Sequence, residues 1–177
     1  MDNACYAGIA GAKSVWKLNS AGALQWDYDT PVSGNKFGIA VDNTDSVYTV
    51  GDRRANKSVW KLNSAGVFQW DYDTGGNATG AGTDSANNVY ITGIRAGAKS
   101  VWKLNSAGAL QWDYDTGATA YNVIADGDDN VYITGARAGN KSVWKLNSAG
   151  AIQWDYDTGA TAYSVTVNGA DKVYVTG

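Results

Sequence analysis

KSVWKLNSAGALQWDYDTG occupies residues 99–117, and near-copies begin at Lys13, Lys57 and Lys141, so the starts lie 44, 42 and 42 residues apart. Inside each copy the side chains alternate. In 141–147, Trp144 and Leu146 point to one face and Val143 and Lys145 to the other. In 151–157, Ile152, Trp154 and Tyr156 share a face, opposite Gln153, Asp155 and Asp157. This period of two is that of a strand, not a helix. The NSAG between the two stretches ends in Gly, which takes the left-handed conformation that closes a short hairpin loop. The phrase therefore reads as two antiparallel strands joined by a tight turn.

Working outward, two more strands fit in each period. Residues 121–126 (YNVIAD) and 130–135 (NVYITG) flank a GDD turn and precede the hairpin of 141–157. Four short strands in a repeat of roughly 40–50 residues mark a β-propeller blade. The predicted fold is all-β, a propeller of four-stranded antiparallel blades with four repeats of ~42 residues per chain. One such blade alone would leave its Trp-bearing face wet, and stacking blades buries it. A buried aromatic covers ~150–250 Å². The tryptophans are accordingly expected to wedge blade against blade rather than to stack on a ligand.

Composition agrees and excludes several functions. The 177 residues include 22 Gly, 8 Trp and 11 Tyr, and all 17 acidic residues are Asp. That bias suits strands and turns more than helix interiors. A net charge of −3 argues against a general nucleic-acid binder. There is no His, the commonest general base and metal ligand, and the single Cys5 permits no internal disulfide. No apolar run approaches the ~20 residues of a membrane helix, so no membrane insertion is expected. The N-terminal residues show no signal-peptide pattern.

GIAVDNTDSVYTVG (38–51) and NVIADGDDNVYITG (122–135), followed by VWKLNSAGALQW, resemble the bacterial seven-bladed propeller repeat called SBBP. WDYDTG also resembles the outer-strand ending of pyrroloquinoline-quinone-type propeller blades. The resemblance spans almost the whole chain. It implies a propeller, a bacterial or phage-like source and a secreted or cell-surface setting. No quinone-binding residue carries over, and no cofactor is implied.

The repeat divides the chain into blades at 31–74, 75–116 and 117–158. A closing blade is expected to combine inner strands from 159–177 with outer strands from 13–30. Such exchange hides open edges. Residues 1–12 then form a redundant partial blade, and 1–8 are expected to lose the competition for a second-strand place. Ring closure has two forms, a four-bladed monomer or a homodimer of half-rings with eight blades; the third alternative is a fragment of a longer array that remains open or assembles otherwise. Two departures stand out. The first linker (PVSGNK) has two extra residues and the only proline, Pro31, and Gly80, Ala81 and Gly82 replace Asn122, Val123 and Ile124 of the next copy. The glycines imply either close backbone approach or a weak strand; glycine's entropic cost favours a weak strand.

Arg53, Arg95 and Arg137 follow the second-strand Gly at the same offset and should form a partial ring on one face. They are the candidate binding residues, as Arg forks suit carboxylates and sugar acids. The simpler reading pairs them with Asp29, Asp73, Asp115 and Asp157, the last residue of each WDYD. ADGDDN (125–130) is oxygen-rich but lacks the spacing and terminal Glu of a calcium loop, so no metal is expected. Ser has no His to activate it. Paired carboxylates such as Asp113 and Asp115 share a strand face and could serve glycoside chemistry, but they recur in every copy, where exposed solubilising charge is the simpler account. These features predict a non-enzymatic binding or scaffold protein that presents repeated loops to a protein or glycan. A lectin-like carbohydrate-binding propeller with sites between blades is the alternative, and an Asp-dependent hydrolase or lyase a third reading.

Overall fold

The computed structural model describes residues 14–30 and 34–177. Within them the chain is all-β, with sixteen strands. β1 (Val15–Leu18) and β2 (Leu24–Tyr28) form a two-stranded sheet. Three four-stranded antiparallel sheets follow, each in sequence order. The second sheet is β3 (Lys36–Val41), β4 (Val47–Arg54), β5 (Lys57–Leu62) and β6 (Phe68–Tyr72). The third is β7 (Ala78–Thr83), β8 (Val89–Ala96), β9 (Lys99–Leu104) and β10 (Leu110–Tyr114). The fourth is β11 (Ala120–Ala125), β12 (Val131–Gly135), β13 (Val143–Leu146) and β14 (Ile152–Tyr156). β15 (Ser164–Val167) and β16 (Val173–Thr176) pair as a last two-stranded sheet.

Local chemistry fixes the hairpins. In the NSAG turns the Asn carboxamide does the folding: Asn63 Oδ1 accepts from the backbone N–H of Ala65 and Val67 at 3.0 and 2.9 Å. Asn19, Asn105 and Asn147 repeat this. The hairpins between first and second strands turn on Asp42, Asp84 and Asp126, and the last on Asn168. Asp84 Oδ1 accepts from Ala86 N and Asn88 N, and Oδ2 from the Tyr90 hydroxyl at 3.0 Å. Each of these turns places an Asp or Asn in the left-handed region, Asp45, Asn87, Asp129 and Asp171, with φ of 59, 63, 61 and 57°. Asp and Asn tolerate that region better than other L-residues.

The core lies between sheets rather than within them. Trp102 and Leu104 of β9 pack with Tyr48, Val50 and Val59 of the sheet before, and Trp144 and Leu146 of β13 pack with Tyr90 and Val101. Trp60, Trp102 and Trp144 are at most 2% exposed. The outer-strand tryptophans fasten the same junctions. Trp70 Nε1 donates to the Ser106 carbonyl at 3.1 Å, Trp112 Nε1 to Ser148 at 3.1 Å and Trp26 Nε1 to Ser64 at 3.0 Å. Their rings lie so close to Gly108, Gly150 and Gly66 that a methyl group on Gly108 would meet Trp70 Cδ2 at 2.9 Å. Lys61 and Lys103 cross too, donating to the Ser106 and Ser148 carbonyls at 2.9 and 3.1 Å.

Two sequence expectations change. The glycine-rich β7 is not a weak strand but a site of close approach. A Cβ on Gly80 would lie 2.7 Å from the Tyr121 carbonyl oxygen, and one on Gly38 would lie 3.0 Å from Gly80 Cα. Glycine lets the inner strands β3, β7 and β11 approach one another there. The strands of 13–30 and 159–177, expected to share one blade, stand as two separate sheets. The redundant strand in 1–8 and Pro31 lie outside the described residues.

Candidate functional site

Arg53 and Arg95 lie in the last residues of the second strands β4 and β8, and Arg137 lies just beyond β12, where the chain turns toward the third strand. Each makes a two-pronged bond to the carboxylate closing its own WDYD. Arg53 reaches Asp73 at 2.6 and 2.6 Å, Arg95 reaches Asp115 at 2.7 and 2.5 Å, and Arg137 reaches Asp157 at 2.7 and 2.6 Å. The Arg137 fork, helped by the Gly159 N–H, pulls Asp157 down to about 2. Arg53 and Arg137 also bond the Asn56 and Asn140 side chains through Nη2, at 2.7 and 2.7 Å. The structure thus spends the forks on tying the outer strand to the corner of its own sheet. Asp113 and Asp115 are likewise engaged, by Lys99 at 2.5 Å and by Arg95.

The oxygen-rich turn is a folding device. Asp126 receives the N–H groups of Asp128 and Asn130, the Asn130 amide and the Tyr132 hydroxyl. Burial raises such a carboxyl, yet these donors outweigh it and leave Asp126, like Asp42 and Asp84, below the usual carboxylate value. Among the described residues no three His, Cys, Asp or Glu side chains gather where they would hold a metal ion.

The site that the sequence reading missed is where the repeat breaks. Lys36 stands at the position of Ala78, Ala120 and Ala162, all 0% exposed. Asp52 stands where the other sheets have Ile94 and Ala136, and Arg54 where they have Ala96 and Ala138. These departures converge. Asp52 accepts from Asn35 N at 3.0 Å and from Asn77 Nδ2 at 2.9 Å, and Asn77 Oδ1 accepts from Arg53 N at 2.8 Å. The Lys36 amine lies 4.3 Å from the centre of the Trp60 ring and 3.4 Å from the Gly34 carbonyl. Among the described residues it has no ion-pair partner. Burial lowers its pKa, and the negative charges of Asp52 and Asp29 only partly restore it. A half-buried amine with a lowered pKa, set on an aromatic face beside an anchored carboxylate, is a group able to exchange protons. Overlaying the four copies of the repeat exposes Lys36; reading the extra residues of the PVSGNK linker only as added length hides it.

No family model and no curated protein matches the chain, so the SBBP likeness rests on its motif alone. Solved structures do match. A streptogramin B lyase superposes with a TM-score of 0.76 at 17% identity, over 93% of this chain and 55% of its own. The virginiamycin B lyase of Staphylococcus aureus gives 0.75 at 13%, over 94% and 57%. A gluconolactonase of Xanthomonas campestris gives 0.68 at 14%, over 95% and 63%. These likenesses define the class: an all-β protein of propeller type. The chain spans somewhat over half the length of these three proteins.

The comparison corrects the functional expectation. A non-enzymatic binding or scaffold protein, with a carbohydrate-binding alternative, was read from repetition and from the absence of His. Propellers of the same architecture are named as a lyase and a gluconolactonase. The physical reason is that repeated strands specify the stack, while chemistry is set by the few side chains on which the copies differ. Repetition therefore gives no ground for excluding an enzyme.

Proposed function

We propose that this propeller, built from four copies of its repeat, is a bond-cleaving enzyme of the lactone-hydrolase or lyase kind, with Lys36 as its base. The observation that carries the reading is the Lys36 amine, set where the other copies bury a methyl group. The neighbours supply the chemical class. A histidine-to-alanine variant of the virginiamycin B lyase is named as catalytically inactive. This chain has no histidine, so a base must come from another residue type. Lysine serves once its pKa is lowered by burial. In lactone opening, neutral Lys36 takes a proton from water while the water oxygen bonds to the carbonyl carbon. The ring C–O bond then breaks, and the ammonium returns the proton to the departing oxygen, leaving the open hydroxy acid. Asp52, pinned by Asn35 and Asn77, holds a negative charge near the ammonium that forms.

The test uses glucono-lactone and virginiamycin B as substrates, with product masses read by mass spectrometry. Turnover above the buffer rate is expected, rising with pH through a value below the ordinary lysine 10.5, because only the neutral amine acts as base. A gain of one water identifies hydrolysis; an unchanged mass with an opened ring identifies elimination. Lys36→Ala, the residue of the other copies, should fold normally and lose about 100-fold or more in rate. Lys36→Arg keeps the charge over Trp60 but cannot release its proton, and should be as inactive. Full activity in either variant, or no turnover of either substrate, overturns the reading.

A further inference from the structure

The junctions between consecutive sheets are built alike, and the two ends of the described chain carry the unmatched halves of one more. At the β14 end, Trp154 and Tyr156 are 39% and 64% exposed, although Trp112 and Tyr114 in the same phrase are half-buried under the next sheet. Among the described residues Trp154 Nε1 has no acceptor, whereas Trp26, Trp70 and Trp112 each bond a serine carbonyl. Val143, Trp154, Tyr156, Val173 and Val175 line an apolar cavity of about 540 Å³. At the other end, Gly22 has open space where Gly66, Gly108 and Gly150 each carry a tryptophan ring. Among the described residues, β16 and β1 each present an unpaired edge. One end thus holds a tryptophan without its glycine and serine carbonyl; the other holds the glycine and Ser20 without their tryptophan.

We infer that two copies of this chain join head to tail, β16 of each pairing with β1 of the other, to close a ring of eight four-stranded blades. The register follows from β12 and β13, where Val131 opposes Leu146, Tyr132 opposes Lys145, Ile133 opposes Trp144 and Thr134 opposes Val143. The joint places Val173 opposite Leu18, Tyr174 opposite Lys17, Val175 opposite Trp16 and Thr176 opposite Val15 of the second copy. Trp16 and Leu18 then fill the cavity beside Trp154, as Trp144 and Leu146 pack beside Trp112. Each copy supplies three whole sheets, and the half-sheets supply one blade at each of two seams. The occupant is a second copy rather than the chain's own β1–β2 because, among the described residues, β15–β16 and β1–β2 stand as separate sheets. The chain follows somewhat over half of longer propellers across 93–94% of its length, and β1–β2 is already seated on the second sheet through Trp26 and Ser64. The seam also completes the surroundings of Lys36. Ala78, at the same position, packs against Val50 and Val59; the matching residues at the seam are Thr176 of the second copy and Val15. The inference stands without the lactone reading, since its readout is mass and not turnover.

The wild-type chain and a Cys5→Ser/Val15→Cys/Thr176→Cys variant test it. Thr134 and Val143, the template pair, lie next to the hydrogen-bonded Gly135–Ser142 pair and so form a close, non-hydrogen-bonded pair of the kind a disulfide spans. The expected solution mass is 37.2 kDa, twice the chain's 18.6 kDa. Oxidation of the variant should give a 37.2 kDa species under denaturing, non-reducing conditions. Trp154→Glu should shift the wild-type chain to 18.6 kDa. A disulfide formed within an 18.6 kDa chain overturns the inference in favour of four-bladed self-closure. Failure to cross-link, or an open-ended ladder of sizes, overturns it as well.

Discussion

Trp112 and Trp154 occupy the same place in the same hairpin and meet different fates. Trp112 lies against Gly150 with its indole N–H on the Ser148 carbonyl. Trp154, also within QWDYDTG, stands 39% exposed with no acceptor among the described residues. Sequence and local backbone are the same, so the neighbouring sheet alone makes the difference. The comparison teaches that burial in this molecule belongs to the junction and not to the residue. A hairpin is specified locally, and its stability is supplied by the copy beside it.

The largest effect should come from the middle of a junction. Trp102→Ala is expected to cost ~3–5 kcal/mol in denaturant unfolding, by loss of buried surface and the cavity left behind. If Trp154→Ala cost the monomer as much, the contrast between closed and open junctions would be broken. Next is the buried pair of Asp84 and Lys103, 3.2 Å apart. Asp84→Asn should cost roughly 1–3 kcal/mol, because it weakens the acceptor of the Tyr90 hydroxyl and removes the countercharge. Since the folded pKa of Asp84 lies below the ordinary 3.8, its contribution is fully present above that value. It is lost as pH falls through the lower folded value. Wild type and variant should therefore converge in stability as pH falls well below 3.8, which acid titration of the unfolding midpoint reads.

Glycine sharpens the contrast further. Gly108→Ala meets both a positive φ of 86° and the Trp70 ring, whereas in a chain kept monomeric by Trp154→Glu, Gly22→Ala meets only its φ of 79°. Differential scanning calorimetry should show Gly108→Ala the worse by about 1 kcal/mol or more, the cost of moving a packed ring. The smallest effect should be Arg95→Met. Its pair with Asp115 is exposed and screened by solvent, so little stability is lost, and that small difference should shrink at high salt.

Much of the strand pattern was legible because period-two alternation and Asn, Asp and Gly turns are local properties. The predicted 151–157 strand is found as Ile152–Tyr156, and 121–126 as Ala120–Ala125. Glycine in β7 was misread because its cause lies on another strand, the Tyr121 carbonyl. The arginines were legible as candidates, and their Asp partners were legible beside them. Lys36 was not, since a lysine in an edge-like strand looks like any exposed charge until the positions of Ala78, Ala120 and Ala162 are known to be buried.

The repeated seat of tryptophan on glycine also has a kinetic consequence. The hairpins of 57–72, 99–114 and 141–156 present nearly the same ring to nearly the same receiving turn. A refolding chain thus meets wrong neighbours about as strongly attractive as the right one, with topology alone to reject them. Slow phases that lengthen as the copies become more alike, and shorten when one hairpin is made distinct, are the expected signature of such trapping. Concentration would add to it, because hairpins of separate chains fit one another as well as they fit their own.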